Sequence, residues 1–126
     1  MHGADPTAYL HHLEKALQTM QLGVTITDVD GTIVYVNPAD AHLHGYAVDE
    51  LLGQDVGIFS PPSRRAPLHL DQLRELTSWK RESVNVRKDG STFPVQLLSD
   101  VVRGPDDEPI GVVTTCEDIT ERRAAE

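Results

Sequence analysis

Six histidines and one cysteine are the residues of this 126-residue chain that are best suited to bind a transition-metal ion. His11 and His12 are adjacent, and His42 and His44 are two positions apart, so on a helix the members of each pair lie on different faces. Two histidines that share a metal ion on a helix are usually about four positions apart. The spacing therefore predicts solvent-exposed histidines and no metal site.

The sequence contains none of the common catalytic motifs. It has neither the G-x-S-x-G turn of serine hydrolases nor the G-x-x-x-x-G-K-[ST] phosphate loop, and it lacks the motif set of protein kinases. Nothing in the spacing of its serines, histidines and aspartates pairs a nucleophile with a base. Cys116 is the only cysteine, so an internal disulfide is ruled out and a small buried side chain is expected. We expect no catalysis by this chain.

The charge of the chain argues against two kinds of partner. Asp and Glu number 20 and Lys and Arg number 11, which gives a formal net charge of −9. This surplus opposes binding to nucleic acid phosphates or to an anionic membrane surface. No apolar run approaches the roughly 18 residues of a membrane helix, and the N-terminus lacks a signal-peptide pattern. We expect a single cytoplasmic domain with one hydrophobic core.

Apolar spacing near the N-terminus predicts an amphipathic helix over residues 8–20, after a flexible start over residues 1–7. The apolar positions of this helix are three or four residues apart, at Leu10, Leu13, Leu17 and Met20. Such a stripe can pack helices of two chains together, so we expect these side chains to form a homodimer interface. The alternative is that the stripe folds back onto the sheet of its own chain.

Five β-branched, alternating runs predict strands, in two hairpin-linked groups separated by short helices. Asp30-Gly31 and Asp89-Gly90 predict the hairpin turns, because a tight primed turn requires positive φ. Asn37 is suited to cap a helix that begins at Pro38. The predicted elements are strands over residues 24–28, 32–36, 79–87, 92–102 and 110–117, and helices over residues 38–45 and 68–76. This order predicts an α+β fold with an antiparallel sheet.

Alternation along the last two strands predicts which of their side chains point inward. The inward-facing side chains are expected to be Phe93, Val95, Leu97, Ile110, Val112 and Thr114. Together with the helix over residues 68–76 they would enclose a mainly apolar pocket of a few hundred Å³ at most.

The C-terminal residues carry the signature of a helix start. Asp118-Ile119-Thr120-Glu121 is a capping box, in which Asp118 caps the next helix and Glu121 bonds back to it. We expect residues 118–126 to begin a linker helix that leads from the core, residues 21–117, to an effector domain.

Four motifs in this order resemble those of PAS sensory domains, and the resemblance covers about residues 10–123. The motifs are Ile26–Ala39, Gly45-Tyr46 with Glu50–Gly53, Arg87–Val95, and Glu117–Arg122. The resemblance implies a five-stranded antiparallel sheet with short helices on one face, a small interior cavity and a signalling role. It also implies that the final motif relays a signal through Asp118, Ile119 and Thr120.

The resemblance also implies candidate cofactor sites. Haem-binding members of the family place their iron-ligating histidine on the helix that contains His69 here. Flavin redox sensors of the family resemble this chain at Trp79, whereas the reactive cysteine of the photosensory members has no counterpart in residues 55–59. The candidate cavity residues are His69, Trp79, Val95, Leu97, Val112 and Thr114. The cofactor stays unknown, with haem and flavin as alternatives, and a surface position without a ligand is the competing interpretation of His69.

From these motifs we expect the sensory domain of a larger receptor, either a histidine kinase or a cyclic-dinucleotide enzyme (a diguanylate cyclase or a phosphodiesterase). The domain would detect a small molecule or a redox state and relay it through its C-terminal helix. Two alternatives stay open: a ligand-free PAS module for dimerisation and relay, and a haem gas sensor that uses His69.

Overall fold

The computed structural model describes residues 5–62 and 68–126. Its strands are β1 (Gly23–Thr27), β2 (Ile33–Val36), β3 (Ser78–Val86), β4 (Thr92–Arg103) and β5 (Pro109–Asp118). They form one five-stranded sheet in the order β2-β1-β5-β4-β3, and every neighbouring pair is antiparallel. The last strand therefore lies at the centre and joins the two hairpins. The predicted α+β fold with a five-stranded antiparallel sheet is confirmed.

Helices precede, connect and follow the strands. They are α1 (Pro6–Thr19), α2 (Pro38–His44), α3 (Val48–Leu51), α4 (Leu70–Glu75) and α5 (Thr120–Ala125), with a 3₁₀ turn at Val56–Phe59. Helix α1 begins two residues earlier than predicted, because the Asp5 carboxylate caps it by accepting the Thr7 N–H. Residues 1–4 of the predicted flexible start lie outside the described residues. No helix in the described part of the chain is long and apolar enough to cross a membrane.

Both hairpin turns form where the Asp-Gly pairs predict them. Gly31 and Gly90 have φ of 84° and 89°, a region that side chains disfavour. In the first turn the Asp28 carboxylate accepts the N–H groups of Asp30 and Thr32. Local side-chain hydrogen bonds of this kind stabilise the turn independently of the rest of the fold.

Asn37 joins three elements through one buried side chain. Its Oδ1 accepts the backbone N–H of Val24 at 2.8 Å and of Asp40 at 3.0 Å. Its Nδ2 donates to the backbone carbonyls of Leu17 at 3.1 Å and Leu22 at 2.9 Å. One amide therefore connects β1, the start of α2 and the end of α1, and its hydrogen-bonding capacity is fully used.

The core consists of two clusters on the face of the sheet that α2 and α3 cover. One cluster contains Ile33, Val36, Ala41, Leu51 and Phe59, and the other contains Phe93, Val95 and Cys116, with Leu43 and Leu97 packed against it. Buried side chains of this kind contribute about 1.5–3 kcal/mol each to the transfer free energy. The second cluster joins the start of β4 to the end of β5.

The expectation that Ile110 is buried is wrong. Val102 pairs with Gly111 and Arg103 pairs with Pro109, so Ile110 has no partner on β4 and forms a β-bulge. The extra residue interrupts the alternation, and Ile110 is 58% exposed. Beyond the bulge the predicted register of β5 is recovered, with Val112 and Thr114 half-buried on the inner face.

The apolar stripe of α1 does not pack into the core. No residue of α1 is buried. Leu10, Leu13 and Met20 are exposed, with 63% of Leu10 accessible, while Leu17 is half-buried. The backbone carbonyl of Leu17 accepts a hydrogen bond from Asn37, which ties the end of α1 to the domain. Most of the stripe is left open to solvent.

We predict that Gly111→Ala destabilises the protein by about 1–3 kcal/mol, as overpacking of a rigid site does. A Cβ at position 111 would lie 2.3 Å from the Thr27 carbonyl oxygen, which belongs to the β1–β5 ladder. Gly104→Ala is the matched control, because its nearest neighbour is the end of the Ile110 side chain at 3.2 Å. Urea unfolding measures both, and equal losses would contradict the steric argument.

Candidate functional site

A cavity of about 430 Å³ lies between the inner face of the sheet and the connecting helices. Inner-face side chains of β1, β3, β4 and β5 line it on one side, and α2, α4 and the 3₁₀ turn line the other. This size lies within the range of small-molecule binding sites. Its exposed lining residues include Asp30 and Asp55, which mark the side that is open to solvent.

The sheet side of the cavity carries a row of hydroxyl groups. The register places Ser99 opposite Trp79 on β3 and opposite Thr114 on β5, and Thr114 in turn opposite Thr25 on β1. Ser99 is fully buried, and its Oγ lies 2.7 Å from the Thr114 Oγ1. At one end of the row the Arg81 guanidinium donates to Ser99 Oγ at 2.9 Å. The cavity is therefore more polar than the predicted apolar pocket.

At the other end of the row lies a buried acid–base pair, Asp40 and His44, one turn apart on α2. Thr25 Oγ1 donates to one Asp40 carboxylate oxygen, Oδ2. The other oxygen, Oδ1, is buried, has no hydrogen-bond partner among the described residues and lies 3.4 Å from His44 Nδ1. Gly23 makes room for it, since a Cβ there would stand 2.3 Å from Oδ1.

Hydrogen bonds define the protonation of His44, whose side chain is fully buried. Its Nδ1 lies 2.8 Å from the Asp40 carbonyl oxygen, and its Nε2 lies 2.9 Å from Asn85 Nδ2. An amide nitrogen only donates, so Nε2 is the acceptor and the proton is on Nδ1. This is the neutral imidazole. The ring stacks on Phe59 at 4.0 Å and meets the edge of Phe93 at 5.3 Å.

Burial shifts both members of the pair toward their uncharged forms. Loss of solvent raises the pKa of Asp40, against the opposing effects of His44 and the Thr25 hydrogen bond. Loss of solvent also lowers the pKa of His44, against the opposing effect of Asp40. A neutral pair needs no counter-charge.

The expectation that His44 is a solvent-exposed histidine is wrong, because Asn37 turns the Asp40–His44 face of α2 toward the sheet. His42 on the opposite side of α2 is exposed, as predicted. Ligand atoms of Asp40, His44 and Cys116 lie within 4.8 Å of one another and offer the oxygen, nitrogen and sulfur donors that zinc accepts. Both ring nitrogens of His44 are already hydrogen-bonded, however, so metal binding would have to break one of these bonds.

Cys116 is a buried thiol beside this pair. Asn85 Nδ2 lies 4.0 Å from its Sγ. Burial raises the pKa of Cys116, and the nearby acidic groups of Asp40 and Asp118 act in the same direction. The thiol is therefore neutral and weakly nucleophilic. The 3₁₀ turn that would have to carry a photoreactive cysteine contains none.

The predicted cavity residues divide into three groups. Trp79, Leu97, Val112 and Thr114 line the cavity. Val95 is fully buried in the core beside it. His69 is exposed and precedes α4 as its N-cap residue, because the helix begins at Leu70 rather than at residue 68. Its side chain is outside the cavity lining.

Sequence reasoning missed Asp40, His44, Arg81, Asn85 and Ser99. One usable signal was present: an acid and a histidine four positions apart on a helix share a face. Arg81 gave no such signal, since a charge in an alternating strand usually faces solvent.

The exit from the sheet differs from the predicted capping box. Ile119 occupies the N-cap position of α5, and the Asp118 carboxylate accepts the Thr120 N–H at 2.9 Å. Ile119 is 1% exposed, and its N–H donates to the Pro94 carbonyl on β4. The box between Asp118 and Glu121 is replaced by this local turn. Thr120 is exposed.

Side chains of α5 reach the outer face of the sheet. Arg122 and Arg123 form ion pairs with Glu82 at 3.2 Å and 2.7 Å, and Arg122 also donates to Gln96. Exposed ion pairs of this kind are worth at most about 1 kcal/mol each. The helix is therefore anchored by Ile119 and only weakly held beyond it.

Comparisons with known proteins agree with this geometry. The family described as PAS domain matches residues 21–121. The chain is 27% identical over 82% of its length to the sensor histidine kinase TmoS of Ectopseudomonas mendocina, and 23% identical over 73% to a nitrogen fixation regulatory protein of Klebsiella oxytoca. It spans only 11% and 19% of these two relatives. The crystal structure of a PAS domain from Colwellia psychrerythraea superimposes with a TM-score of 0.80, at 23% identity, covering 90% of this chain and 99% of that one.

We predict that Asp40→Asn gains stability relative to the wild type as the pH rises above about 4, the ordinary pKa of an aspartate. The pKa of Asp40 is raised in the folded state. The contribution of Asp40 to the free energy of unfolding of the wild type is therefore present at low pH and is lost as the pH rises through that pKa. Asparagine does not titrate. Asp40 also raises the pKa of His44, so in the variant the pKa of folded His44 is lower. This lowers the free energy of unfolding of the variant at low pH and strengthens the same trend.

Urea unfolding at several pH values measures the difference in the free energy of unfolding between variant and wild type. Asp30→Asn, at an exposed aspartate of the first hairpin turn, isolates the effect of losing one negative charge. A difference that is constant or falls with pH would contradict the neutral Asp40–His44 pair.

Proposed function

This chain belongs to the PAS domain family, and on that premise we propose that it binds a small molecule in its cavity and relays occupancy through α5 to an effector domain. The observation that carries the proposal is that β5 is both a wall of the cavity and the strand that leads into α5. Val112, Thr114 and Cys116 face the cavity, and two residues later Asp118 holds the start of the helix.

The strength of the contacts at this exit supports a relay. The backbone N–H of Ile119 donates to a carbonyl of β4, so a shift between β4 and β5 moves the N-cap residue of α5 directly. The rest of α5 is held by exposed ion pairs, which break at little cost. A ligand that changes the packing at Val112 or Thr114 can therefore redistribute α5 between docked and released states.

The effector in this proposal is a histidine kinase or, as the alternative, a cyclic-dinucleotide enzyme. The similarity to a sensor histidine kinase favours the first. The module would then work on the cytoplasmic side, where the kinase obtains its ATP. Nothing in the position of His69, which is exposed beside α4, favours the haem sensor.

Homodimerisation through α1 is part of the same proposal. None of the residues of α1 is buried, and the apolar side chains of Leu10, Leu13 and the C-cap residue Met20 are exposed. Burying a side chain of this size contributes about 1.5–3 kcal/mol before association costs. The costs of association are comparable with the sum of these contributions over the stripe, so we expect a dimer of weak to moderate affinity.

We predict that Val112→Phe changes hydrogen exchange of residues 118–125, because the larger ring fills part of the cavity and imitates an occupant. Val113→Phe is the matched control, since the neighbouring valine points to the outer face of β5 and is not part of the cavity lining. Mass spectrometry measures the exchange after thermal melting has shown that both variants are folded. Equal effects of the two variants, or no effect of Val112→Phe, would overturn the relay.

We predict that the wild-type protein dimerises and that the double variant Leu10→Asp, Leu13→Asp is a folded monomer, because two charges would be buried in the helix interface. Light scattering over a range of concentrations measures the mass. Ile110→Asp places the same charge on an equally exposed apolar residue of the bulge and should leave the dimer intact. A wild type that stays monomeric at high concentration would contradict the interface.

A further inference from the structure

The cavity contains a cation that the protein does not neutralise. The Arg81 guanidinium lines the cavity and is about half removed from solvent, which lowers its pKa. Within residues 5–62 and 68–126 it forms no ion pair. Its contacts are the hydrogen bond to Ser99 Oγ at 2.9 Å and the face of Trp79, whose ring centre lies 5.4 Å from the guanidinium carbon.

These contacts leave most of the donors of Arg81 unused. A guanidinium carries five N–H donors in a planar fork and stays protonated in proteins. Ser99 Oγ accepts from one nitrogen of the guanidinium, Nη1, and is itself already hydrogen-bonded to Thr114 Oγ1. Cys116, which faces the same part of the sheet, cannot act as the counter-ion, because burial keeps its thiol protonated.

A partly buried charge without a counter-ion is costly, and a bound anion removes that cost. A carboxylate matches the guanidinium fork with two parallel hydrogen bonds. The cavity lining also offers apolar side chains, those of Trp79, Leu97, Leu73 and Val112. The open side carries Asp30 and Asp55, whose charges oppose the entry of a polyanion.

We propose that the ligand of this cavity is a small monocarboxylate with a compact apolar body, bound through its carboxylate to Arg81. The inference rests on the proposed sensory function and specifies its ligand class. The apolar body lies against Trp79 and Leu97, and the carboxylate occupies the donors that Ser99 leaves free.

The test compares three probes on the purified domain by isothermal titration calorimetry: benzoate, its neutral isostere benzamide, and inorganic phosphate. Hydrogen bonds to charged groups are worth about 1.5–3 kcal/mol, so we expect benzoate to bind at least about tenfold tighter than benzamide. Arg81→Gln should weaken benzoate binding by about tenfold or more and leave benzamide binding unchanged. Arg81→Lys keeps the charge without the planar fork and should retain part of the affinity.

Thermal melting shows whether each variant is folded, and the comparison of benzoate with benzamide uses only the wild-type protein. Equal binding of benzoate and benzamide, tighter binding of phosphate, or unchanged benzoate binding by Arg81→Gln would overturn the carboxylate assignment. Failure of all three probes to bind would also overturn it. The sensory function is judged separately, by the exchange of residues 118–125 in Val112→Phe.

Discussion

The four hydrogen bonds of the Asn37 amide are the constraint on which the rest of the domain depends. They fix the end of α1, the first strand and the first turn of α2 relative to one another. Because the side chain is buried, replacing it with an apolar residue would leave several backbone groups unsatisfied, at about 1–3 kcal/mol each. With the start of α2 fixed, the face of the helix that carries Asp40 and His44 has only one direction, toward the sheet.

The cavity that results is asymmetric in charge. At one end a carboxyl and an imidazole lie together, and burial favours the uncharged form of each. At the other end a guanidinium keeps its charge, donates to the Ser99 hydroxyl and lies over the Trp79 ring. The hydroxyls of Ser99 and Thr114 lie between them on adjacent strands. Apolar residues at these positions could form a core of equal or greater stability, and the proposed ligand binding would give the polar groups a function.

Much of the fold could be predicted from the sequence because its signals are local. The Asp-Gly turns, the cap at Asn37 and the alternation around Leu97 and Val112 depend on neighbours only a few residues away. The errors at Ile110, His44 and Arg81 depend on distant ones. Ile110 lies outside the core because β5 has one residue more than β4 at this point of the ladder. Such a mismatch depends on the pairing of both strands. His44 is buried because of how α2 sits on the sheet, and Arg81 faces inward because the opposite strand supplies Ser99.

The contact between Gly23 and Asp40 has a consequence for the substitutions that this domain tolerates. Any side chain at position 23 would occupy the space of the Asp40 carboxyl, since a Cβ there would stand 2.3 Å from Oδ1. A larger residue at position 23 therefore forces the Asp40 carboxyl to move. We expect the two positions, on different elements and 17 residues apart in the chain, to tolerate substitution only together.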